Sequence, residues 1–264
     1  MYDLAVTRHY PGVNNEKESD LFSDLYVAHR LGRVHEYPND FDSYIAGDWT
    51  QTLNGGSVAL AAGDGGILNL VTAVSASASI QDNPAAMSHT KSFRTWMFGR
   101  MAIDNLLGQV IFGLMNATAT PFTPASITDG AWFSSAAGTG ALSFNVAVGG
   151  VITTVAMGVS LVAGQQIQLS AYYDGAIYAA GQPNGRYVAQ ADQFIAGISS
   201  GAARVELGAA GTGQAGVMPA TFPGATNLCY TIAAFASTAA ARTLSIDTVY
   251  FAKDRININA TPPF

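Results

Sequence analysis

A run of alternating apolar residues between Ala141 and Gln190 constrains this chain more than any other feature. Apolar residues occupy every second position on both sides of Gly149-Gly150, which is the pattern of two strands joined by a two-residue turn. Both glycines can adopt the positive φ that a primed turn requires. Further turns are predicted at Tyr173-Asp174-Gly175 and Pro183-Asn184-Gly185. The segment therefore predicts a meander of about four or five strands.

Strand-like segments continue on both sides of this meander, from Trp49 to Phe251, and no long helix is predicted after residue 48. Roughly a dozen short strands separated by Gly, Pro, Asn and Asp are typical of two antiparallel sheets packed face to face. The predicted fold is therefore all-β, an antiparallel two-sheet β-sandwich with an N-terminal extension. We assign residues 1–46 to an N-terminal arm, 47–256 to the β-sandwich domain and 257–264 to a C-terminal tail.

The predicted arm differs in composition from the rest of the chain. Residues 1–48 hold 9 of the 18 acidic residues. Residues 19–31 have the apolar spacing of a short amphipathic helix, with Ser19 as N-cap and Gly32 just past its end. An extended conformation is the alternative. In either form the arm packs on its own sandwich or reaches a neighbouring subunit, and the sequence leaves both open.

Charge and cysteine content limit the classes of partner. Charged residues make up 11% of the chain, against about 25% in typical soluble domains, which favours a protein of a large assembly or of an extracellular setting. The net charge of -6 argues against binding nucleic acid through phosphate contacts. Neither a signal peptide nor a membrane-spanning helix is predicted. The single cysteine, Cys229, excludes an intrachain disulfide and is predicted to be buried.

The sequence predicts no catalytic, cofactor or metal site. A glycoside hydrolase needs two carboxyl groups that flank the scissile bond, but Glu206 is the only glutamate after residue 48 and has no acidic neighbour on its strand. Asp247 also lacks an acidic neighbour two residues away, so we assign it a structural hydrogen bond. The histidines at 9, 29 and 35 lack the spacing of metal ligands. We therefore expect a protein that is not an enzyme.

Tyrosines cluster around two of the predicted turns. Such rings can stack on sugars, but tyrosine is equally common in strands, cores and subunit interfaces. We therefore treat the cluster as candidate glycan or interface contacts, with a core location as the alternative. Its members are Tyr172, Tyr173, Tyr178 and Tyr187.

The order of these features resembles the concanavalin A-like lectin and glucanase jelly roll over about three quarters of the chain. The matching segments are Asp48-Trp49, Asp64 to Leu70, Phe98 to Met101, Val110 to Leu114, Leu169 to Gly175 and the closing strand Leu244 to Val249. Within that fold, the low charge and the Ala/Gly-rich composition resemble bacteriophage decoration (cement) proteins.

This resemblance implies a viral structural protein that decorates and stabilises the capsid exterior. Its partners would be the major capsid protein and further copies of itself, as a trimer or dimer. Its location would be the virion surface, after synthesis in the host cytoplasm. The alternative is a lectin-like carbohydrate-binding module of a virion fibre or tail, used for adhesion.

Overall fold

The computed structural model describes residues 34–61, 66–82, 87–88, 93–175, 185–195, 198–208, 216–218, 227–237 and 239–254. Short 3-10 turns lie at Ala46–Asp48 and Pro124–Ser126. The strands are β1 (Val34–Asn39), β2 (Trp49–Ala61), β3 (Ile67–Asp82), β4 (Met87–Ser88), β5 (Thr95–Ile103), β6 (Gly108–Met115), β7 (Gly130–Ser135), β8 (Ala141–Val148), β9 (Val151–Ser160), β10 (Gln166–Tyr173), β11 (Tyr187–Ile195), β12 (Ile198–Gly208), β13 (Gly216–Val217), β14 (Asn227–Ala236) and β15 (Arg242–Asp254).

Backbone pairing arranges these strands in two layers. Sheet I has the order β13-β12-β11-β10-β5-β15, and β1 pairs with the last half of β15. Sheet II has the order β14-β6-β7-β8-β9, and β4 pairs with the start of β14. The described pairs are antiparallel apart from β12 with β13, which is parallel. Consecutive strands are neighbours in space from β6 to β9 and from β10 to β13. Because β9 lies in sheet II and β10 in sheet I, the single meander predicted for residues 141–190 is wrong: its strands are divided between the two layers.

The long strand β3 belongs to both layers. Its first part pairs with β15 of sheet I and its last part pairs with β14 of sheet II. Ser75 lies between these parts with a φ of 58°, a left-handed conformation that is uncommon for a residue with a side chain. Its N–H donates to Ser237 O at 3.0 Å. Strand β2 follows β3 through both parts, so this hairpin closes one side of the sandwich.

Aromatic rings from the two sheets meet in the core. Tyr230 of sheet II and Phe251 of sheet I have ring centroids 3.6 Å apart. Phe144 of sheet II lies 5.3 Å from the ring of Tyr187 of sheet I. Contact across the layers buries the inward positions of both sheets. The predicted all-β, two-sheet jelly-roll sandwich is thus confirmed.

The predicted Gly-Gly hairpin is also confirmed. Gly149 and Gly150 have φ values of 56° and 80°, and they join Val148 to its cross-strand partner Val151. Positive φ at both central residues matches the twist of the flanking strands. Strand β9, which follows this turn, reaches the edge of sheet I, because Thr153 Oγ1 donates to Val217 O at 3.0 Å.

The described end of the predicted arm is part of the sandwich. Strand β1 pairs with β15 from Val34 to Asn39, and Phe41 packs in the main core. Residues 1–33 and the predicted tail 257–264 lie outside the described residues. No helix in the described part of the chain is long and apolar enough to cross a membrane.

Two further expectations are confirmed by the packing. Cys229 is a buried free thiol, and burial raises its pKa to about 11. The Asp247 carboxylate accepts a hydrogen bond from Arg100 Nε and forms an ion pair with it. Asp247 therefore has the structural role that the sequence predicts. It also lines a cavity of about 250 Å³ with Gln166 and Ser245 beside sheet I.

Candidate functional site

A cleft lies on the outer face of sheet II, where the side chains point away from the core. Trp132, Asn145 and Thr154 are direct cross-strand partners on β7, β8 and β9, so all three project from the same face. Ser134 follows Trp132 on that face two positions along β7. The pleat of three neighbouring strands therefore brings one aromatic and three polar side chains together.

Asn145 organises the polar side chains of this face. Its Nδ2 donates to Ser134 Oγ at 2.9 Å and to Trp132 O at 3.3 Å. Its Oδ1 accepts from Thr154 Oγ1 at 2.8 Å. Asn145 is only 5% exposed, and a buried amide with its hydrogen bonds made holds a single geometry. Asn145 is thus a positioning residue for the hydroxyl groups of Ser134 and Thr154.

The loop of residues 116–128 forms one wall of the cleft, and Gln81 anchors its beginning. Gln81 Oε1 accepts from Thr118 N at 3.0 Å, while its Nε2 donates to Thr231 Oγ1 at 2.7 Å. Farther along the loop, the ring of Phe122 packs on Phe235 of β14 with centroids 5.7 Å apart. The loop is therefore held against sheet II at both points.

Asn116 fastens the two ends of the same loop to each other. Its Oδ1 accepts from Thr128 N at 2.8 Å and from Asp129 N at 3.2 Å. Its Nδ2 donates to Ser126 O at 3.0 Å. These bonds satisfy main-chain groups that the loop would otherwise leave unpaired. The wall of the cleft is accordingly preorganised by side chains of the loop and of its neighbours.

The cleft has a volume of about 290 Å³, at the small end of the range of small-molecule sites. None of the residues that line it is charged. Trp132 is 4% exposed and forms the floor, whereas Phe122 is half-buried in the wall. The lining residues that carry a polar group or an aromatic ring are Gln109, Phe122, Trp132, Ser134, Ser135, Asn145 and Thr154.

The lining has a defined chemical capacity. The Gln109 amide has no hydrogen-bond partner among the described residues, and it offers both a donor and an acceptor. The Ser134 hydroxyl accepts from Asn145 and can still donate its proton, whereas the Thr154 hydroxyl donates its proton to Asn145 and can accept. An uncharged ligand with several hydroxyl groups matches this set. The described residues contain no group of three or more His, Cys, Asp or Glu that could hold a metal ion.

The structure separates the tyrosines that the sequence grouped together. Tyr173 and Tyr187 are 0% exposed and pack in the core with ring centroids 5.1 Å apart, which is the core location left open by the sequence. No ligand at the surface reaches either ring in this fold. Tyr172 lies on the outer face of sheet I, 5.5 Å from the ring of Trp96. Tyr178 lies outside the described residues.

Sequence reasoning did not find the residues of the cleft. Trp132 falls in a short strand, and Asn145 and Thr154 occupy the polar positions of the Gly-Gly hairpin. The available signal was the alternation itself, which places Asn145 opposite the apolar face of β8. The missing information was the register that puts these residues beside one another.

Comparison with solved structures identifies the fold. The chain is similar to a protein of unknown function from Shewanella oneidensis MR-1, with a TM-score of 0.55, 11% identity, and coverage of 96% of this chain and 99% of that one. It is similar to peanut lectin, with a TM-score of 0.58, 12% identity, and coverage of 83% and 97%. It is also similar to the lectin UEA-II in complex with galactose, with a TM-score of 0.56, 10% identity, and coverage of 83% of this chain and 98% of that one. The fold is a concanavalin A-like jelly roll.

This similarity stops at the fold, because the identities are only 10–12%. No family model and no curated protein sequence matches the chain. The fold is shared with a lectin that was solved in complex with galactose, yet a shared fold does not by itself transfer a function. Any function of this chain therefore depends on the chemistry of its cleft.

Proposed function

We propose that this protein is a carbohydrate-binding module that holds a neutral sugar in the cleft of sheet II. The observation that carries the proposal is the uncharged, hydrogen-bonding lining next to the Phe122 ring. A sugar presents hydroxyl groups at its rim and apolar C–H groups on its faces, so it needs both kinds of contact. Binding pockets for small ligands combine apolar walls with a few positioned polar groups in this way.

The lining also favours binding over hydrolysis. Glycoside hydrolysis uses a general acid and a second carboxylate on either side of the glycosidic bond. The residues of the cleft include no Asp or Glu. A sugar held there would be retained unchanged, which is the behaviour of a lectin rather than of a glucanase.

Gln109→Ala is expected to weaken glycan binding roughly five- to tenfold, because it removes hydrogen bonds worth about 1 kcal/mol each. Thr154→Val should have a similar effect, since it removes a hydroxyl from the lining. A glycan array screened with the unmodified protein identifies the ligand, and titration calorimetry then measures each dissociation constant.

Thr153→Val is the matched control for Thr154→Val. Thr153 is on the same strand but points to the opposite side, where its hydroxyl bonds Val217 O. Its substitution should leave glycan affinity unchanged even if it lowers stability slightly. Equal affinities for all these proteins, or an array on which no neutral glycan is bound, would refute the proposal.

A role in decorating a virion remains a prediction based on composition, and neither the fold nor the similar structures bear on it. Exposed apolar side chains such as Ile198 and Val151 provide surface for contacts with other subunits. A deletion that tests an arm should end at residue 33, because Val34 already pairs with β15. Loss of capsid binding in that deletion would support decoration, and full occupancy would refute a role for the arm.

A further inference from the structure

The outer face of sheet I is buried although it points away from the core between the sheets. Trp96, Tyr172 and Val188 are cross-strand partners on β5, β10 and β11, and Phe98 with Tyr250 forms the next row. They form a separate apolar cluster, in which Trp96, Phe98, Val188 and Tyr250 are between 0% and 6% exposed. A solvated sheet would instead carry polar, accessible side chains at these positions.

Polar residues on the same face are buried as well. Ser170 and Gln190 are cross-strand partners next to Phe98, and Gln168 pairs with Asp192 one row farther along. All four are buried. The buried area thus extends across β11, β10 and β5 and is not confined to the aromatic cluster. We call these two rows and the aromatic cluster the sheet I face.

No strand or 3-10 turn among the described residues packs across the sheet I face. The described strands are neighbours within one sheet, or they meet the other sheet at the core and at the edges. By contrast, the outer face of sheet II has the described loop of residues 116–128 upon it. The Arg94 guanidinium lies 5.3 Å from the centroid of the Trp96 ring and covers part of it, but the burial of the remaining sheet I face calls for another part of the chain.

Unpaired polar atoms indicate what the covering group must offer. Trp96 Nε1 and both side-chain atoms of Gln190 are buried without a hydrogen-bond partner. Leaving such atoms unpaired costs about 1–3 kcal/mol each. An indole N–H needs an acceptor, and an amide needs one donor and one acceptor. Polar side chains, or main-chain groups that lie outside a helix, supply donors and acceptors of both kinds.

We propose that residues 1–33 of the same chain dock on the sheet I face. These residues enter the described structure at Val34, opposite Asp254, beside the strand that carries Tyr250. Glu36 lies two positions after Val34 on the same face of β1, and its carboxylate accepts a hydrogen bond from Tyr250 Oη at 3.0 Å. The chain therefore reaches the sheet I face at one of its own edges.

Length and pattern suit this occupant. The amphipathic segment 19–31 would span about 20 Å as a helix, which is long enough to cross the three strand spacings from β11 to β15, about 14 Å. Leu21, Phe22 and Leu25 form its apolar side, which matches the aromatic cluster. The docked segment leaves the cleft of sheet II open, so this proposal stands or falls independently of glycan binding.

Hydroxyl-radical footprinting of the full-length chain tests the proposal. Phe22→Asp places a charge on the apolar side of the segment and should raise oxidation of Trp96 and Tyr172 several-fold. Trp132, on the opposite sheet, serves as the internal reference and should not change. The matched control is Ser23→Asp, on the polar side, which should leave Trp96 protected. Equal protection of Trp96 in both variants would overturn the proposal.

A photo-cross-linking measurement covers the case in which Phe22→Asp disturbs the whole fold. The full chain carries p-benzoylphenylalanine in place of Gln190, and a mixture of isotopically light and heavy chains is irradiated. If the segment docks on its own chain, the probe at position 190 should cross-link to peptides from residues 1–33. Both peptides of each cross-link should then be light, or both should be heavy. The same probe in place of Thr154 should give none. Mixed-isotope cross-links, which indicate a second copy, or cross-links only to other residues would overturn the proposal.

Discussion

Phe112→Ala should lower the free energy of unfolding by about 3–5 kcal/mol, the usual range for truncating a buried phenylalanine. Phe112 is fully buried on β6, and the rings of Tyr230 and Phe251 lie 5.8 and 6.4 Å from it. A Cβ added to Gly99 of sheet I would lie 2.4 Å from the Phe112 ring. Since Gly99 has no side chain to move into the space, the cavity would remain and the loss should be large.

Urea unfolding followed by circular dichroism measures this effect. Val151→Ala is the control, because Val151 is 63% exposed and its truncation should change the free energy of unfolding by no more than about 0.5 kcal/mol. If Phe112→Ala costs no more than the control, the two sheets do not pack through this ring. The sandwich described above would then be wrong at its centre.

Local signals explain the parts of the architecture that the sequence predicted correctly. Only a few neighbouring residues are needed to recognise the Gly149-Gly150 turn, the alternation around it and the closing strand. The position of Ser75 is different. A left-handed serine in the middle of β3 lets this strand pass from one sheet to the other, and nothing in residues 67–82 marks that bend.

The tyrosine cluster shows where pattern alone fails. Tyr172 and Tyr173 are consecutive, so the pleat places them on opposite faces of β10. The sequence predicts this separation but not which face meets the other sheet, because apolar residues occur on both faces of sheet I. The main core takes Tyr173 and the outer cluster takes Tyr172.

The cleft depends on contacts between residues far apart in the chain. Gln81 holds Thr118, 37 positions later, and thereby fixes the loop wall. Asn145 joins three strands whose register is set by the whole of sheet II. A single sequence contains no record of these distances, which is why the uncharged lining became visible only in the fold.

Asp82→Asn should stabilise the protein at pH 7 and leave its stability unchanged at pH 4. Asp82 lies at the end of β3, where its carboxylate accepts a hydrogen bond from Tyr230 N. Burial raises the pKa of Asp82 to about 6 from its ordinary value of 3.8, and the Tyr230 N–H opposes this shift. Asparagine keeps an acceptor oxygen for that N–H and carries no charge.

The raised pKa fixes the sign of the pH dependence. Between about pH 4 and pH 6 the folded protein retains a proton on Asp82 that the unfolded chain has released, so stability decreases as the pH rises. The stability that the protonated Asp82 contributes is fully present below about pH 4 and is lost above about pH 6. The shift corresponds to about 3 kcal/mol. Partial exposure of Asp82 reduces the expected loss to about 2 kcal/mol.

Urea unfolding of both proteins at several pH values between 4 and 7 measures the difference between them, which removes the contributions of all other carboxylates. Tyr37 and Cys229 are the titratable neighbours of Asp82. Burial raises the pKa of each, so neither titrates between pH 4 and pH 7. The difference should grow from near zero at pH 4 to about 2 kcal/mol at pH 7 in favour of Asp82→Asn. A difference that is constant with pH would mean that the Asp82 carboxylate is solvated in the folded protein, and that β3 and β14 do not enclose it.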